Sequence, residues 1–240
     1  EALLSIRKKA ARISIVAPER TSQEFNKILS VEKPSYGLGL LFTSGLLNEI
    51  LPELVALQGV EEVEGQLHKD NFYHTLEVVD NLSRTSEDLW LRWAALLHDI
   101  GKPRTKKFIQ GTGWTFRGHE FLGGKMVPKL FKRMHLPNDA RLKFVIKMVQ
   151  MSSRPAALSD DAVTDSALRR LLFDAGDDIE SLMLLCEADL TTKNEKKKRR
   201  YLQNFKVVRA KLKEVEERDQ IRNFQPPVSG EEIMEKYGIG

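Results

Sequence analysis

Four polar residues that lie far apart in this chain constrain its fold more than any other feature. His98 and Asp99 are adjacent at the end of an apolar run, His74 lies 24 residues upstream and Asp189 lies 90 residues downstream. Two imidazoles and two carboxylates suit a hard-to-borderline divalent cation, because neutral nitrogen and anionic oxygen together hold it without thiolate. The sequence therefore predicts a fold that closes on a divalent ion, with Mn, Ni, Co, Fe, Zn and Mg all open as its identity.

The local sequence around these residues is compatible with a shared site. An apolar helix is predicted over 90–97, and the break at Gly101-Lys-Pro103 ends it just after His98 and Asp99. Adjacent helical residues point about 100° apart, so this pair reaches one ion only near a helix end. Asp189 falls in a second apolar helix, where a lone carboxylate is costly unless it is paired or bound to a cation. Taken singly, each histidine also fits a hydrogen-bonded core role, and Asp189 fits an N-cap or a buried salt bridge.

Composition excludes several classes of protein. The chain has 240 residues, of which 41% are hydrophobic, enough to bury a sizeable core. Cys186 is the only cysteine, which rules out an intrachain disulfide and favours a reducing compartment, so we expect a cytoplasmic protein. No apolar run approaches the roughly 20 residues that span a bilayer, and the first residues lack the order of a signal peptide.

The positive charge of the chain is concentrated in one segment. The net charge is +4, but residues 193–213 hold ten Lys or Arg and one acid, so the remainder carries −5. Tyr201, Phe205, Val208, Leu212 and Val215 follow one another at steps of four and three, which predicts an amphipathic helix over about 194–218. Its basic face is suited to a polyanion such as RNA, although a solvated charged helix is an equally good interpretation.

Helix punctuation predicts an all-α protein with about ten helices. Pro18 and Pro34 are predicted at first helical positions, and the predicted N-caps are Asn71, Ser86 and Asn138. Residues 106–117 contain two β-prone pieces around Gly-Thr-Gly and predict one short hairpin. Residues 225–230 predict a turn after the last helix.

An acidic stretch bounded by Gly59 and Gly65 predicts a division into domains. Residues 1–64 form a small helical module, residues 65–192 form the metal domain, and residues 193–240 form the basic helix and the start of a C-terminal segment. The chain begins with Glu1 rather than a methionine and stops at Gly240 after Tyr-Gly-Ile, so we expect a fragment of a longer protein.

The order of the four ligand candidates resembles the H…HD…D signature of the HD-superfamily metal-dependent phosphohydrolases, which are all-helical. Residues 18–29, 41–54 and 58–59 are similar to the helical RNA-binding region that precedes an HD domain in bacterial tRNA nucleotidyltransferases and poly(A) polymerases, and residues 228–234 resemble the segment that follows it. The resemblance covers nearly the whole chain. It implies RNA, and tRNA in particular, as a partner.

The resemblance also shows departures from the family pattern. The nucleotidyl-transfer head of that family carries an Asp-x-Asp pair on a strand, and no such segment occurs in these 240 residues, so we expect no nucleotide addition by this chain alone. His119 resembles a further histidine of two-metal relatives. Ser152 stands where the family often has another histidine, and a hydroxyl is a poor substitute on a transition ion. We therefore expect one tightly held ion.

The resemblance implies hydrolysis of a phosphoester, either a phosphomonoester or a 2′,3′-cyclic phosphodiester, at an RNA 3′ end. Asp99 is expected to bind the ion and orient water, Lys102 to offset charge on the phosphate, and His119 to protonate the leaving oxygen. Lys102 is equally well interpreted as a solvated lysine after a helix. The alternative function is an RNA-binding module of a CCA-adding or poly(A) polymerase enzyme in which the ion is structural. Hydrolysis of free nucleotides is disfavoured, and oligomeric assembly is left open.

Overall fold

The structure is a computed structural model that describes residues 2–158 and 164–223. Within these ranges the chain forms fourteen α-helices and two 3₁₀ turns, Ala10–Ile15 and Gly176–Asp178. The helices are α1 (Ala2–Lys8), α2 (Pro18–Ser30), α3 (Pro34–Thr43), α4 (Leu46–Ile50), α5 (Pro52–Val55), α6 (Asn71–Ser83), α7 (Leu89–Leu97), α8 (Lys102–Thr105), α9 (His119–Arg133), α10 (Ala140–Met151), α11 (Arg154–Ala157), α12 (Asp165–Ala175), α13 (Ile179–Ala188) and α14 (Glu195–Asn223). The predicted all-α class is confirmed.

The predicted hairpin over 106–117 is confirmed, and a second hairpin was missed. Strands β3 (Lys107–Ile109) and β4 (Gly113–Thr115) pair antiparallel, with Phe108 opposite Trp114. Strands β1 (Glu62–Val63) and β2 (Gln66–Leu67) form the second hairpin, inside the stretch interpreted only as a domain boundary. Its two-residue loop has positive φ at both Glu64 (52°) and Gly65 (73°), as a type I′ turn requires. Glu is a weaker signal for such a turn than Asn or Asp, so the sequence did not indicate it.

The first residues of several helices were predicted correctly, whereas the N-cap residues and the number of helices were not. Pro18 and Pro34 begin α2 and α3 as expected. The N-caps are not the predicted Asn71, Ser86 and Asn138 but neighbouring carboxylates. Asp70 lies one residue before Asn71, Asp88 lies two residues after Ser86, and Asp139 lies one residue after Asn138. A carboxylate accepts hydrogen bonds from the free amides and also interacts favourably with the positive end of the helix.

The predicted number of helices was low because α4, α5, α8 and α11 are single turns, too short to show amphipathic periodicity.

Helix α7 lies at the centre of the molecule and positions the His-Asp pair. Every residue from Leu91 to Leu97 is buried, and α2, α6, α10 and α13 pack around the helix. The first helices share this core: the Phe25 ring stacks on Trp93 at 5.1 Å, and Phe42 lies 4.5 Å from Phe72. The hydrophobic core therefore runs without interruption from the N-terminal helices to those that carry the metal-ligand candidates.

Helix α14, which carries the basic segment, packs against the rest of the protein through the predicted apolar stripe. Phe205, Val208, Leu212 and Val215 are buried, whereas Tyr201 is only partly buried. The side of α14 that carries these residues contacts α11, α12 and α13. The helix extends to Asn223, five residues beyond the predicted end. The turn predicted over 225–230 and the family-like segment 228–234 lie outside the described residues. Among the helices described, none combines the length and apolar character needed to cross a membrane.

A close approach of two glycines brings α9 against the end of α7. A Cβ on Gly101 would lie 2.2 Å from the carbonyl oxygen of His119 and 2.9 Å from the amide nitrogen of Gly123. These neighbours are backbone atoms, which cannot move aside as a flexible side chain can. Glycine at 101 therefore allows the N-terminus of α9, with His119, to lie beside Asp99.

We expect Gly101→Ala to lower the free energy of unfolding by about 1–3 kcal/mol, because the added methyl group overpacks this crossing. Urea unfolding followed by circular dichroism measures the change. Gly39→Ala is the matched control: its Cβ would meet nothing within 4 Å, and alanine in α3 is expected to be neutral or stabilising by up to about 1 kcal/mol. Equal destabilisation of the two variants would contradict the importance of the close approach.

Candidate metal centre

Three helices deliver the four ligand candidates to one point. His74 lies in the second turn of α6, whose start is capped by Asp70, and His98 is the C-cap residue of α7. Asp99 follows in the turn between α7 and α8. Asp189 was expected inside an apolar helix but is the C-cap residue of α13. Its position at a helix end is what lets a carboxylate leave the apolar face of α13 and approach the histidines.

The donor atoms of these residues form a tight cluster. Asp189 Oδ1 lies 2.8 Å from His74 Nε2 and 3.4 Å from His98 Nε2. Asp99 Oδ2 lies 3.7 Å from His74 Nε2 and 3.4 Å from His98 Nε2. One oxygen of each carboxylate is therefore within 3.7 Å of the Nε2 atoms of both histidines. The structure brings together all four residues that the sequence singled out.

Hydrogen bonding around the cluster tests whether it fits a cation. His98 Nε2 and Asp189 Oδ1 are the buried side-chain polar atoms, within the described ranges, that have no hydrogen-bond partner. Unsatisfied buried polar atoms are rare and costly, and both of these point into the cluster. His74, His98 and Asp99 also form a group whose ligand atoms all lie within 4.8 Å of one another. The donor set therefore fits a divalent ion, which would satisfy both orphaned atoms.

The pKa values of the cluster residues are set by burial and by the opposite charges of the histidines and carboxylates. Burial opposes protonation of His98, but Asp99 and Asp189 outweigh it and raise the pKa of His98 to about 9. Burial by itself raises the pKa of Asp99, yet His98, His119 and Lys102 hold it well below its ordinary value. The pKa of Asp189 is likewise lowered, because the two histidines overcome the effect of burial. Both carboxylates are thus ionised and ready to bind a cation at neutral pH.

The outer nitrogens of the two histidines have their own partners. His98 Nδ1–H donates to the Ala95 carbonyl oxygen at 2.7 Å, which directs Nε2 into the cluster. His74 Nδ1 lies 2.9 Å from Thr191 Oγ1 and 3.1 Å from Lys69 Nζ. Lys69 and Thr191 were not predicted from the sequence, because their spacing from His74 carries no recognisable signal. Such outer contacts orient metal-binding histidines.

Two further residues predicted from the sequence lie at the edge of the cluster. Lys102 Nζ donates to Asp99 Oδ2 at 2.7 Å and lies 5.5 Å from the centre of the Phe116 ring. His119 Nδ1–H donates to the Phe116 carbonyl oxygen at 2.8 Å, and its Nε2 lies 3.5 Å from Asp99 Oδ1. Asp99 is therefore shared, with one oxygen facing the histidine pair and Lys102 and the other facing His119.

Comparison with known proteins agrees with this geometry. The family model described as "HD domain" matches residues 71–194, slightly more than half of the chain. The chain belongs to the HD domain family. A second model, described as "Probable RNA and SrmB- binding site of polymerase A", matches residues 1–57, ahead of the HD domain. The resemblance predicted from the sequence is confirmed.

An A-adding tRNA nucleotidyltransferase and multifunctional CCA proteins are similar in sequence to this HD domain chain. It is 31% identical over 240 residues to the A-adding tRNA nucleotidyltransferase of Deinococcus radiodurans, which covers 96% of this chain and 52% of the relative. The multifunctional CCA proteins of Vibrio campbellii and Methylococcus capsulatus are 30% and 33% identical, covering 75% and 79% of this chain and 45% of each relative. The chain spans about half the length of the curated relatives it matches.

Ser152 and three basic or aromatic side chains of the HD domain lie in other surroundings. The Ser152 hydroxyl donates to the Val149 carbonyl oxygen at 3.1 Å, so it is committed away from the cluster. Arg154 pairs with Asp174. Trp114 donates to the Gln66 carbonyl oxygen, which gives it a packing role between the hairpins. Arg117 is exposed in the loop before α9.

Proposed function

We propose that this HD domain hydrolyses phosphomonoesters or 2′,3′-cyclic phosphodiesters at RNA 3′ ends, as part of a tRNA nucleotidyltransferase-like protein. The observation that carries the proposal is the cluster of four donors with two buried, unpartnered atoms. Structural metal sites are closed, whereas catalytic sites keep an open position. The Asp189 side chain is 40% exposed although its Oδ1 is buried, so this cluster has an open side.

His74, His98, Asp99 and Asp189 are the residues that would hold the ion. When bound, a divalent ion supplies Lewis acidity toward a phosphoryl oxygen and lowers the pKa of a coordinated water. The choice among Mn, Ni, Co, Fe, Zn and Mg is left to metal analysis. Ser152, committed to Val149, supports the expectation of one tightly held ion.

Lys102, Asp99 and His119 are assigned roles that their positions support. The Lys102 ammonium group, at the edge of the cluster, offsets negative charge on the phosphate as it is attacked. Asp99 Oδ1 lies on the side of His119 and orients water, in addition to the role of Asp99 as a ligand. His119 is proposed to protonate the leaving oxygen from Nε2, the ring nitrogen that faces Asp99. Since the Phe116 carbonyl oxygen accepts from Nδ1–H, this step requires the imidazolium form of His119.

The proposal extends to organisation and partners. We retain the division into an RNA-binding module over 1–64, the phosphohydrolase over 65–192 and the basic segment over 193–240, with tRNA as the bound nucleic acid. The single cysteine supports a cytoplasmic location.

A second candidate is an RNA-binding module in which the ion serves only to hold α6, α7 and α13 together. The match of residues 1–57 to a model for an RNA-binding site favours it. The two candidates differ in one respect that an assay detects, namely turnover of a phosphoester.

Lys102→Met is expected to lower kcat for a 2′,3′-cyclic nucleotide by about 100-fold or more, because a group that stabilises developing charge is lost. The assay compares the wild-type chain with the variant in the presence of Mn, Ni, Co or Mg. Lys107→Met, at an exposed position five residues further on, is the control and is expected to keep full activity. Metal content is measured in parallel. A wild-type chain that binds metal tightly but turns over neither cyclic nucleotides nor phosphomonoesters would favour the structural role.

A further inference from the structure

The outer face of α9 carries a stripe of one aromatic and three basic side chains. Phe121, Lys125, Lys129 and Lys132 are all exposed, and they follow one another at steps of four, four and three residues. Such steps place side chains on one side of a helix. Met126, Val127 and Leu130 face the opposite side and are buried. We call these four exposed residues the α9 stripe; it extends about 16 Å along the helix.

Acidic groups do not neutralise the stripe. Within the described residues, Lys125, Lys129 and Lys132 form no ion pair with a carboxylate. The acid of this helix, Glu120, accepts a hydrogen bond from Ser153 and lies 3.3 Å from His119 Nδ1, away from the stripe. Arg133, the last residue of α9, is paired with Glu53 and belongs to a different face. The three lysines therefore present uncompensated positive charge.

The aromatic residue of the stripe is arranged as a platform. Phe121 is 60% exposed, and Lys125 Nζ lies 4.1 Å from the centre of its ring. An exposed ring beside cations suits a nucleobase, whose face stacks on the ring while the neighbouring phosphates contact the lysines. A membrane surface is a poorer match, because one ring offers little apolar area for insertion.

We propose that the α9 stripe binds a single strand of RNA, with a base on Phe121 and phosphates on Lys125, Lys129 and Lys132. The stripe begins within one turn of His119, whose Nε2 lies 3.5 Å from Asp99 Oδ1. This inference rests on the proposed function in one respect: it places the strand that leads to the hydrolysed RNA 3′ end on the outer face of α9. The basic segment of α14 lies on another element and is not part of the stripe.

Binding of a fluorescein-labelled single-stranded RNA of twelve nucleotides, measured by anisotropy at several salt concentrations, tests the inference. The charge-reversal variant K125E/K129E/K132E is expected to bind at least tenfold more weakly. Loss of three phosphate contacts is expected to reduce the slope of log affinity against log salt by about 2. The charge-preserving variant K125R/K129R/K132R is the control and is expected to keep both affinity and slope.

The platform is tested separately. Phe121→Ala is expected to weaken RNA binding about fivefold or more while leaving the salt slope unchanged, because stacking is lost and the charges remain. Phe173→Ala removes a ring on α12 that is 88% exposed, and it is the matched control for loss of an exposed phenylalanine. Circular dichroism melts check that all variants are folded.

The outcomes separate this inference from the proposed hydrolysis. If the charge-reversal variant hydrolyses a mononucleotide normally but an RNA oligonucleotide poorly, both stand. If it loses RNA binding while even the wild-type chain hydrolyses neither substrate, the stripe stands and the proposed function fails. Wild-type affinity and salt slope in the charge-reversal variant would overturn the stripe. So would stripe-dependent binding to vesicles with 30% phosphatidylserine without binding to RNA.

Discussion

Replacing His98 by alanine is expected to abolish tight metal binding, with an affinity at least about 100-fold lower than that of the wild-type chain. Even residues that only support a metal ligand change affinity by about 10–100-fold, and His98 is assigned as a ligand itself. Its Nε2 is one of two buried side-chain atoms in the described structure that have no hydrogen-bond partner. Isothermal titration with Mn or Ni and metal analysis after dialysis measure the effect.

Thermal unfolding provides an independent measure of the same loss. A ligand that binds only the folded state raises Tm in proportion to the logarithm of its concentration over Kd. Added metal should therefore raise the Tm of the wild-type chain and leave that of the His98→Ala variant nearly unchanged.

His135→Asn is the control for the loss of a histidine. His135 is half-exposed and pairs with Glu19 at 2.7 Å, and its positive φ of 50° is one that asparagine tolerates. This variant should bind metal like the wild type. Equal metal content in the His98→Ala and His135→Asn variants would overturn the assignment of the metal centre.

Arg92→Met is expected to lower the free energy of unfolding by about 3–5 kcal/mol, because several carbonyl oxygens lose a charged donor and each buried acceptor left unsatisfied costs about 1–3 kcal/mol. The Arg92 side chain is buried, and its guanidinium donates to the carbonyl oxygens of Leu29, Val31, Ser83 and Ser86. Methionine fills a similar volume but leaves these four acceptors without their donor. Leu29 and Val31 lie at the end of α2. Ser83 is the last residue of α6 and Ser86 lies in the loop that follows it, so Arg92 of α7 connects the N-terminal helices to the HD domain.

Urea unfolding followed by circular dichroism measures the free energy of unfolding of the Arg92→Met variant and of the wild-type chain. Arg84→Met, at an exposed position, is the control and is expected to change the free energy of unfolding by less than about 0.5 kcal/mol. Arg92→Lys should give an intermediate loss, because it keeps the charge but not the planar set of donors. Similar unfolding curves for the Arg92→Met and Arg84→Met variants would show that the carbonyl network contributes little.

Local chemistry explains which features were predictable. The His98-Asp99 pair is recognisable because polar residues end an apolar helix, and the hairpin at Gly111-Thr-Gly113 because glycines mark its turn. Prolines at 18 and 34 mark helix starts because proline is tolerated in the first turn. The second hairpin escaped because Glu64 is an unusual residue for positive φ. The single-turn helices escaped because one turn has no periodicity to detect.

The identity of the metal-ligand candidates, the helical class and the amphipathic character of the last helix were determined by the sequence alone, since each depends on residue type and short-range spacing. Only the tertiary structure decided that Asp189 meets His74 at 2.8 Å, that Lys69 and Thr191 contact His74, and that Arg92 binds carbonyls of two other elements. It also decided which side of α9 faces solvent. These contacts join residues distant in sequence, and their partners are set by how helices pack, which no local pattern encodes.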